Sequence, residues 1–105
     1  MSNCVELTAV NFEQAITAPI ALIDFWMPGC PPCKMIEPVM NEIALDYDGR
    51  AFIGKINSSA NMEIAMRYGV MSVPTLIIFQ NGKEAERLVG FKPKVELSAW
   101  LDKYL

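Results

Sequence analysis

Apolar and polar residues alternate along this chain with two different periods. The run Ile20-Ala21-Leu22-Ile23-Asp24-Phe25-Trp26 is apolar at every position but one, as expected of a strand covered on both faces. Helices must then lie on either side of the sheet that holds it. Val5 to Leu7, Ala51 to Ile56 and Thr75 to Phe79 are further apolar runs of strand length. Glu84 to Val89 follows the last of these across Asn81-Gly82, a pair that favours a two-residue hairpin because both positions accept positive φ. The final two strands are therefore expected to be antiparallel.

Between the strands the period lengthens to that of a helix. Ile36, Val39, Met40, Ile43, Ala44 and Tyr47 recur at steps of three and four, which lays one apolar stripe along a long helix with Pro38 inside it as an expected kink. Asn11 to Ile16 and Asn61 to Tyr68 read as shorter helices, each with an asparagine placed to cap it, the second ended by Gly69. Val95, Leu97, Leu101 and Leu105 stand among charged residues as the stripe of a closing helix. The order is βαβαβαββα, an α/β fold with a mixed central sheet flanked by helices on both faces.

The chain has 105 residues, about half of them apolar, enough for one domain over residues 1–105 burying roughly 60–70% of its unfolded surface. No low-complexity segment, repeat or linker divides it. Its start lacks a basic segment followed by an apolar run, and no window approaches a membrane span, so a soluble cytoplasmic protein is expected. A net charge of -3 with interspersed signs gives no basic face for nucleic acid or anionic lipid. With no histidine anywhere, Ser-His and Cys-His hydrolase mechanisms are excluded.

Candidate chemistry rests on Trp-Met-Pro-Gly-Cys-Pro-Pro-Cys-Lys, residues 26–34. Three cysteines, Cys4, Cys30 and Cys33, are too few for a disulfide scaffold. One Cys-x-x-Cys offers two metal ligands where zinc needs four, with no second pair to complete the set. Two cysteines at i and i+3 lie close enough in a first helical turn for reversible pairing. The pair falls where the central strand ends and the long helix begins, so Cys30 sits at the positive end of the helix dipole and is the expected nucleophile. Cys33, one turn inside, is the expected resolving thiol. Pro31 and Pro32 fit the first helical positions, whose N–H groups lack intrahelical partners. They also withdraw two amide donors from the Cys30 sulfur, which tilts the pair towards a reductant.

Asp24 is a lone carboxylate in an apolar run; desolvation raises its pKa and makes it a candidate proton carrier for Cys33. Lys55 is its candidate ion partner. Trp26 is expected to pack beside the dithiol. Gly69 and Gly82 read as turn glycines, and Gly90 as a close backbone approach beside a substrate groove. The methionines read as mostly core filling, with Met71 as a candidate lining of the binding surface. Cys4 reads as a small buried hydrophobe.

Asp24-Phe25-Trp26, Cys30-x-Pro32-Cys33-Lys34, Pro38, Lys55-Ile56-Asn57, Tyr68-Gly69-Val70, Val73-Pro74-Thr75, Phe79-x-Asn81-Gly82 and Gly90 stand in an order and spacing that resembles the thioredoxin family over essentially the full length. The resemblance implies a disulfide oxidoreductase with a nucleophilic first cysteine and no bound cofactor beyond its own Cys30–Cys33 disulfide. It also implies a cis peptide before Pro74, which read alone is expected to be trans. Cis geometry brings Val73 backbone groups beside the sulfurs, where an extended substrate strand can pair with them. The implied partners are protein disulfides and a thioredoxin reductase, flavoprotein or ferredoxin-linked, acting on a monomer. Two departures affect partner choice: Gly29 stands where most of the family has tryptophan, and Pro31 where it has glycine. Alternatives are an oxidant or isomerase, a membrane-tethered cytochrome-maturation relative, whose usual anchor and insert have no counterpart here, and a non-catalytic binding module.

Overall fold

A computed structural model describes residues 4–105; the first residues of the stretch read above for a leader lie outside them. Along the described chain run β1 (Val5–Leu7), α1 (Phe12–Ala15), β2 (Ile20–Trp26), α2 (Pro31–Asp46), β3 (Phe52–Asn57), α3 (Met62–Arg67), β4 (Thr75–Gln80), β5 (Lys83–Val89) and α4 (Lys94–Asp102). The expected order is borne out. The sheet runs β1-β3-β2-β4-β5, with β3 parallel to both β1 and β2 and with β4 antiparallel to β2 and β5.

Successive side chains of a strand point to opposite faces, and this sorts the core into two layers. Ile20 and Leu22 of β2 join Leu76 and Ile78 of β4 under α2 and α4, against Ile36, Met40, Ile43, Leu97 and Leu101. Ala21, Ile23 and Phe25 join Ile77 and Phe79 under α1 and α3, against Phe12 and Ile64. Phe12 fixes the second layer through ring contacts with Phe25, Tyr68 and Phe79, at centroid distances of 5.7, 5.4 and 5.8 Å. Asp24 has the parity of Ile20 and Leu22, so the alternation that buries β2 aims its carboxyl at the α2 layer.

The turns follow their residues. Asn81 and Gly82, at φ 51° and 87°, close the β4–β5 hairpin. Gly69 adopts φ 64° after α3, and its N–H and that of Val70 donate to the carbonyls of Met66 and Ala65, the double bond that seals a helix ending in a left-handed residue.

Several expectations are corrected. Neither Asn11 nor Asn61 caps its helix through its side chain. Asn11 Oδ1 instead accepts from the Thr8 N–H at 2.8 Å, and Asn61 Oδ1 from the Ala9 N–H at 2.9 Å; both tie the loop after β1, whose amides need partners once it is folded over the sheet. In α4, Val95 is exposed, while Trp100 joins Leu97 and Leu101 in the core; Leu105, also exposed, lies beyond the end of the helix. Of the described methionines only Met40 is core; Met27, Met35, Met62, Met66 and Met71 are exposed.

Gly54, unmarked by any turn pattern, is buried in β3 where a Cβ would lie 2.8 Å from Phe52 Cε2 and 3.3 Å from the Val5 carbonyl. Gly54→Ala is expected to cost about 1–2 kcal/mol by overpacking, read as a lower urea midpoint with unchanged slope; an unaltered midpoint would show that β1 and Phe52 yield freely.

Candidate active site

The site forms where β2 ends. Trp26, Met27, Pro28 and Gly29 carry the chain from the sheet to α2, with Gly29 at φ 75°. No atom lies within 4 Å of where a Gly29 Cβ would be, so the backbone conformation, not space, favours glycine there. Cys30 is the N-cap of α2 in an extended conformation, and Pro31 and Pro32 open the helix. The first amide that α2 can offer is that of Cys33, and it donates to Cys30 Sγ at 3.2 Å.

Cys30 and Cys33 are joined by a disulfide, their Cα atoms 5.2 Å apart. Cys30 is half-buried and Cys33 buried. The peptide before Pro74 is cis, as the resemblance implied. The Val73 carbonyl oxygen lies 3.9 Å from Cys30 Sγ. The Gly90 N–H donates to the Pro74 carbonyl at 2.8 Å, tying the end of β5 to this loop. Nothing lies within 4 Å of a Cβ placed at Gly90, and its φ of 93° is what favours glycine there.

Beneath the disulfide is a pocket of about 240 Å³ lined by Asp24, Trp26, Met27, Pro28, Cys33, Lys34, Glu37 and Lys55. Asp24 is 2% exposed, and among the described residues nothing hydrogen-bonds its Oδ1. Burial pushes its carboxyl up to about 7; the Lys55 charge opposes that shift, while Glu6 and Glu37 add to it. The sheet register explains the neighbours. Glu6 pairs with Lys55 across β1–β3 and Lys55 with Asp24 across β3–β2, so three charged side chains form one row on the α2 face.

Within that row Lys55 departs from the expected direct pairing with Asp24. Its Nζ lies 3.3 Å from Glu37 and 3.9 Å from Glu6, partners that keep more solvent than the buried Asp24 and so cost less to pair as ions. Trp26 Nε1 donates to Glu6 Oε2 at 3.2 Å, which orients the indole at the pocket wall. Glu6 and Glu37 were missed in the sequence. The parity of β1 and β3 was the signal for Glu6, and the step of four from Cys33 along α2 was the signal for Glu37. Cys4 is buried in the α2 layer, and burial above all holds its thiol protonated, with a pKa pushed up to about 12.

A disulfide at the mouth of a pocket, one sulfur turned outward and one inward, stores an electron pair when opened and releases it when closed. That chemistry and this α/β frame define a thiol–disulfide oxidoreductase. The comparisons agree: the thioredoxin family model matches residues 3–103. A thioredoxin of Staphylococcus haemolyticus is 46% identical over 101 residues, 96% of this chain and 97% of its own. One of Staphylococcus aureus is 45% identical with the same coverage. Among solved structures, a mutant thioredoxin from Halobacterium salinarum superposes with a TM-score of 0.90 at 29% identity, over 97% of this chain and 90% of that one. Malassezia sympodialis thioredoxin gives 0.89 at 26% identity, over 99% and 92%. The chain belongs to the thioredoxin family and is a protein-disulfide reductase whose redox group is its own cysteine pair.

Proposed function

We propose that Cys30 is the attacking thiolate, Cys33 the resolving thiol and Asp24 the proton acceptor that readies Cys33. The unequal burial of the two sulfurs carries this reading: only Cys30 is accessible to a protein disulfide, and only Cys33 faces the pocket that holds Asp24. The Cys30 thiolate, favoured by the helix N-terminus and the Cys33 amide, attacks one substrate sulfur. The substrate S–S bond breaks and the first substrate thiol leaves with a solvent proton. Cys33 passes its proton to the Asp24 carboxylate and attacks Cys30 Sγ, which expels the second substrate thiol and closes the Cys30–Cys33 bond. Two electrons pass to the substrate, and the protein ends oxidised.

The substrate face is formed by Trp26, Gly29, Pro31, Pro32, Val73, Pro74 and Gly90, with a substrate strand pairing to the Val73 backbone. Lys55 acts on Asp24 through space, favouring its ionised form. Residues 1–105 act as one domain and a monomer in the cytoplasm, recharged by a thioredoxin reductase, flavoprotein or ferredoxin-linked, with no other bound cofactor. Interspersed charge supports a role away from nucleic acid and lipid, and among the described residues no helix is long and apolar enough to cross a membrane.

Brief iodoacetamide treatment of the reduced protein, followed by peptide mapping, tests the roles. Cys30 is expected to carry nearly all the label at pH 7, with Cys33 and Cys4 protected. Label appearing first on Cys33 would reverse the assignment.

A further inference from the structure

Lys55 stands beside Asp24 in the β2–β3 register yet gives its charge to two other carboxylates. Its Nζ lies between Glu37 Oε2 of α2, at 3.3 Å, and Glu6 Oε1 of β1, at 3.9 Å. The second oxygen of Glu6 is also engaged, since Oε2 accepts from Trp26 Nε1 at 3.2 Å. Glu6 is thus fixed by an aromatic side chain of the site, with its other oxygen turned to the lysine. Lys55 keeps 18% of its side-chain surface, against 46% for Glu6 and 59% for Glu37, so the cation is confined while both anions reach solvent. Ion pairs of such exposed groups contribute little to stability. The consequence of these two lies in where they leave Asp24.

We propose that Glu6 and Glu37 are positioning residues, which hold the Lys55 ammonium away from the Asp24 carboxyl and so keep Asp24 basic enough to take the Cys33 proton. The other groups around Asp24 leave this role to them. Cys4, ahead of β1, is buried and protonated. Leu76 is the partner of Asp24 on β4, and α4 meets this layer with Leu97 and Leu101 while its Lys94 pairs with Glu42 and Asp46. On α2, Cys33 and Lys34 line the pocket with Glu37, but of the two lysines there Lys55 is the one whose charge bears on Asp24. An opposite charge brought to about 4–6 Å lowers a carboxyl pKa by roughly 1–3, and a carboxylate so depressed is a poor acceptor for a thiol proton. The row Glu6, Lys55 and Asp24 is therefore a competition for one cation. Glu6, joined by Glu37, wins it because a solvated carboxylate costs less to pair than a buried one, and the buried one is left without a counter-ion.

Because this role rests on Asp24 as the acceptor of the Cys33 proton, two titrations are compared. In the oxidised protein the paired cysteines do not titrate, so the carboxyl carbon resonance of Asp24 reports that group without coupling to Cys33. Glu6→Gln/Glu37→Gln is expected to lower its midpoint by about one pH unit, since Lys55 is then free to turn to Asp24. Lys55→Gln is expected to raise the midpoint. In that background the two glutamine substitutions are expected to move it by at most about a third as much, because exposed carboxylates acting through solvent are screened. An unmoved midpoint in the double variant, or an equal shift with and without Lys55, would overturn the positioning role. The second titration follows release of the mixed disulfide against pH in single turnovers of the reduced protein, and its midpoint is expected to fall together with that of Asp24. An error in the underlying reading shows itself differently: the Asp24 midpoint would then move while the release profile stayed in place.

Discussion

Asp24→Asn is expected to stabilise the oxidised protein by about 2–4 kcal/mol at pH 8 and by almost nothing at pH 4. Burial raises the Asp24 carboxyl from its ordinary 3.8 to about 7. The folded group therefore keeps its proton at pH values where the unfolded one has released it. Between about pH 4 and 7 the native state binds more protons than the unfolded state, so wild-type stability falls as pH rises through that window and levels off above it. At about 1.4 kcal/mol for each pH unit between the two values, the full loss is about 4 kcal/mol. Asparagine has nearly the same shape and no charge to desolvate, so it escapes the loss. Urea unfolding at pH 4, 6 and 8 measures the difference, and a gap that stayed constant across that range would show that Asp24 is not held near neutrality.

The same substitution is expected to slow release of the mixed disulfide by about 100-fold at pH 7, a typical worth for a positioned base. The amide accepts no proton, so the remaining rate should climb with pH through the ordinary thiol range. A more stable and slower variant would identify the buried charge as a cost in stability that serves turnover.

The central place and burial of β2 were legible because seven consecutive residues, six of them apolar, allow few other placements. The dithiol was legible because Cys-x-x-Cys at a strand-to-helix junction is a local pattern. Lys55 was harder, since its choice of Glu6 and Glu37 over Asp24 depends on the relative desolvation of three carboxylates brought together by the sheet register and α2. The methionines were misread because hydropathy alone does not distinguish a core side chain from an exposed one. Met62 and Met66 share a face of α3 that turns from the core position Ile64, a distinction that six helical residues give too little periodicity to make. The two asparagines sat where caps belong but were drawn to loop amides by contacts that the local sequence does not contain. Cis geometry at Pro74 came from the family resemblance, while the dipeptide alone favoured trans.

Cys30→Ser and Cys33→Ser are each expected to lower catalytic turnover of protein disulfides by at least about 1,000-fold, the scale on which loss of a nucleophile acts, yet to leave opposite traces. Without Cys30 the only remaining member of the pair is buried in the first turn of α2, so no covalent complex with substrate should form. Without Cys33 the first exchange still runs, because the helix N-terminus and its amide act on Cys30 irrespective of the resolving thiol. The mixed disulfide then has no internal thiolate to attack it. Cys4 cannot substitute, since burial holds it protonated, with a pKa of about 12. Non-reducing electrophoresis after mixing with a disulfide-bonded protein should therefore show a dithiothreitol-sensitive complex for Cys33→Ser alone, persisting when Cys4→Ser is added. A complex seen instead with Cys30→Ser would exchange the two roles, and the helix N-terminus would then not be what selects the attacking sulfur.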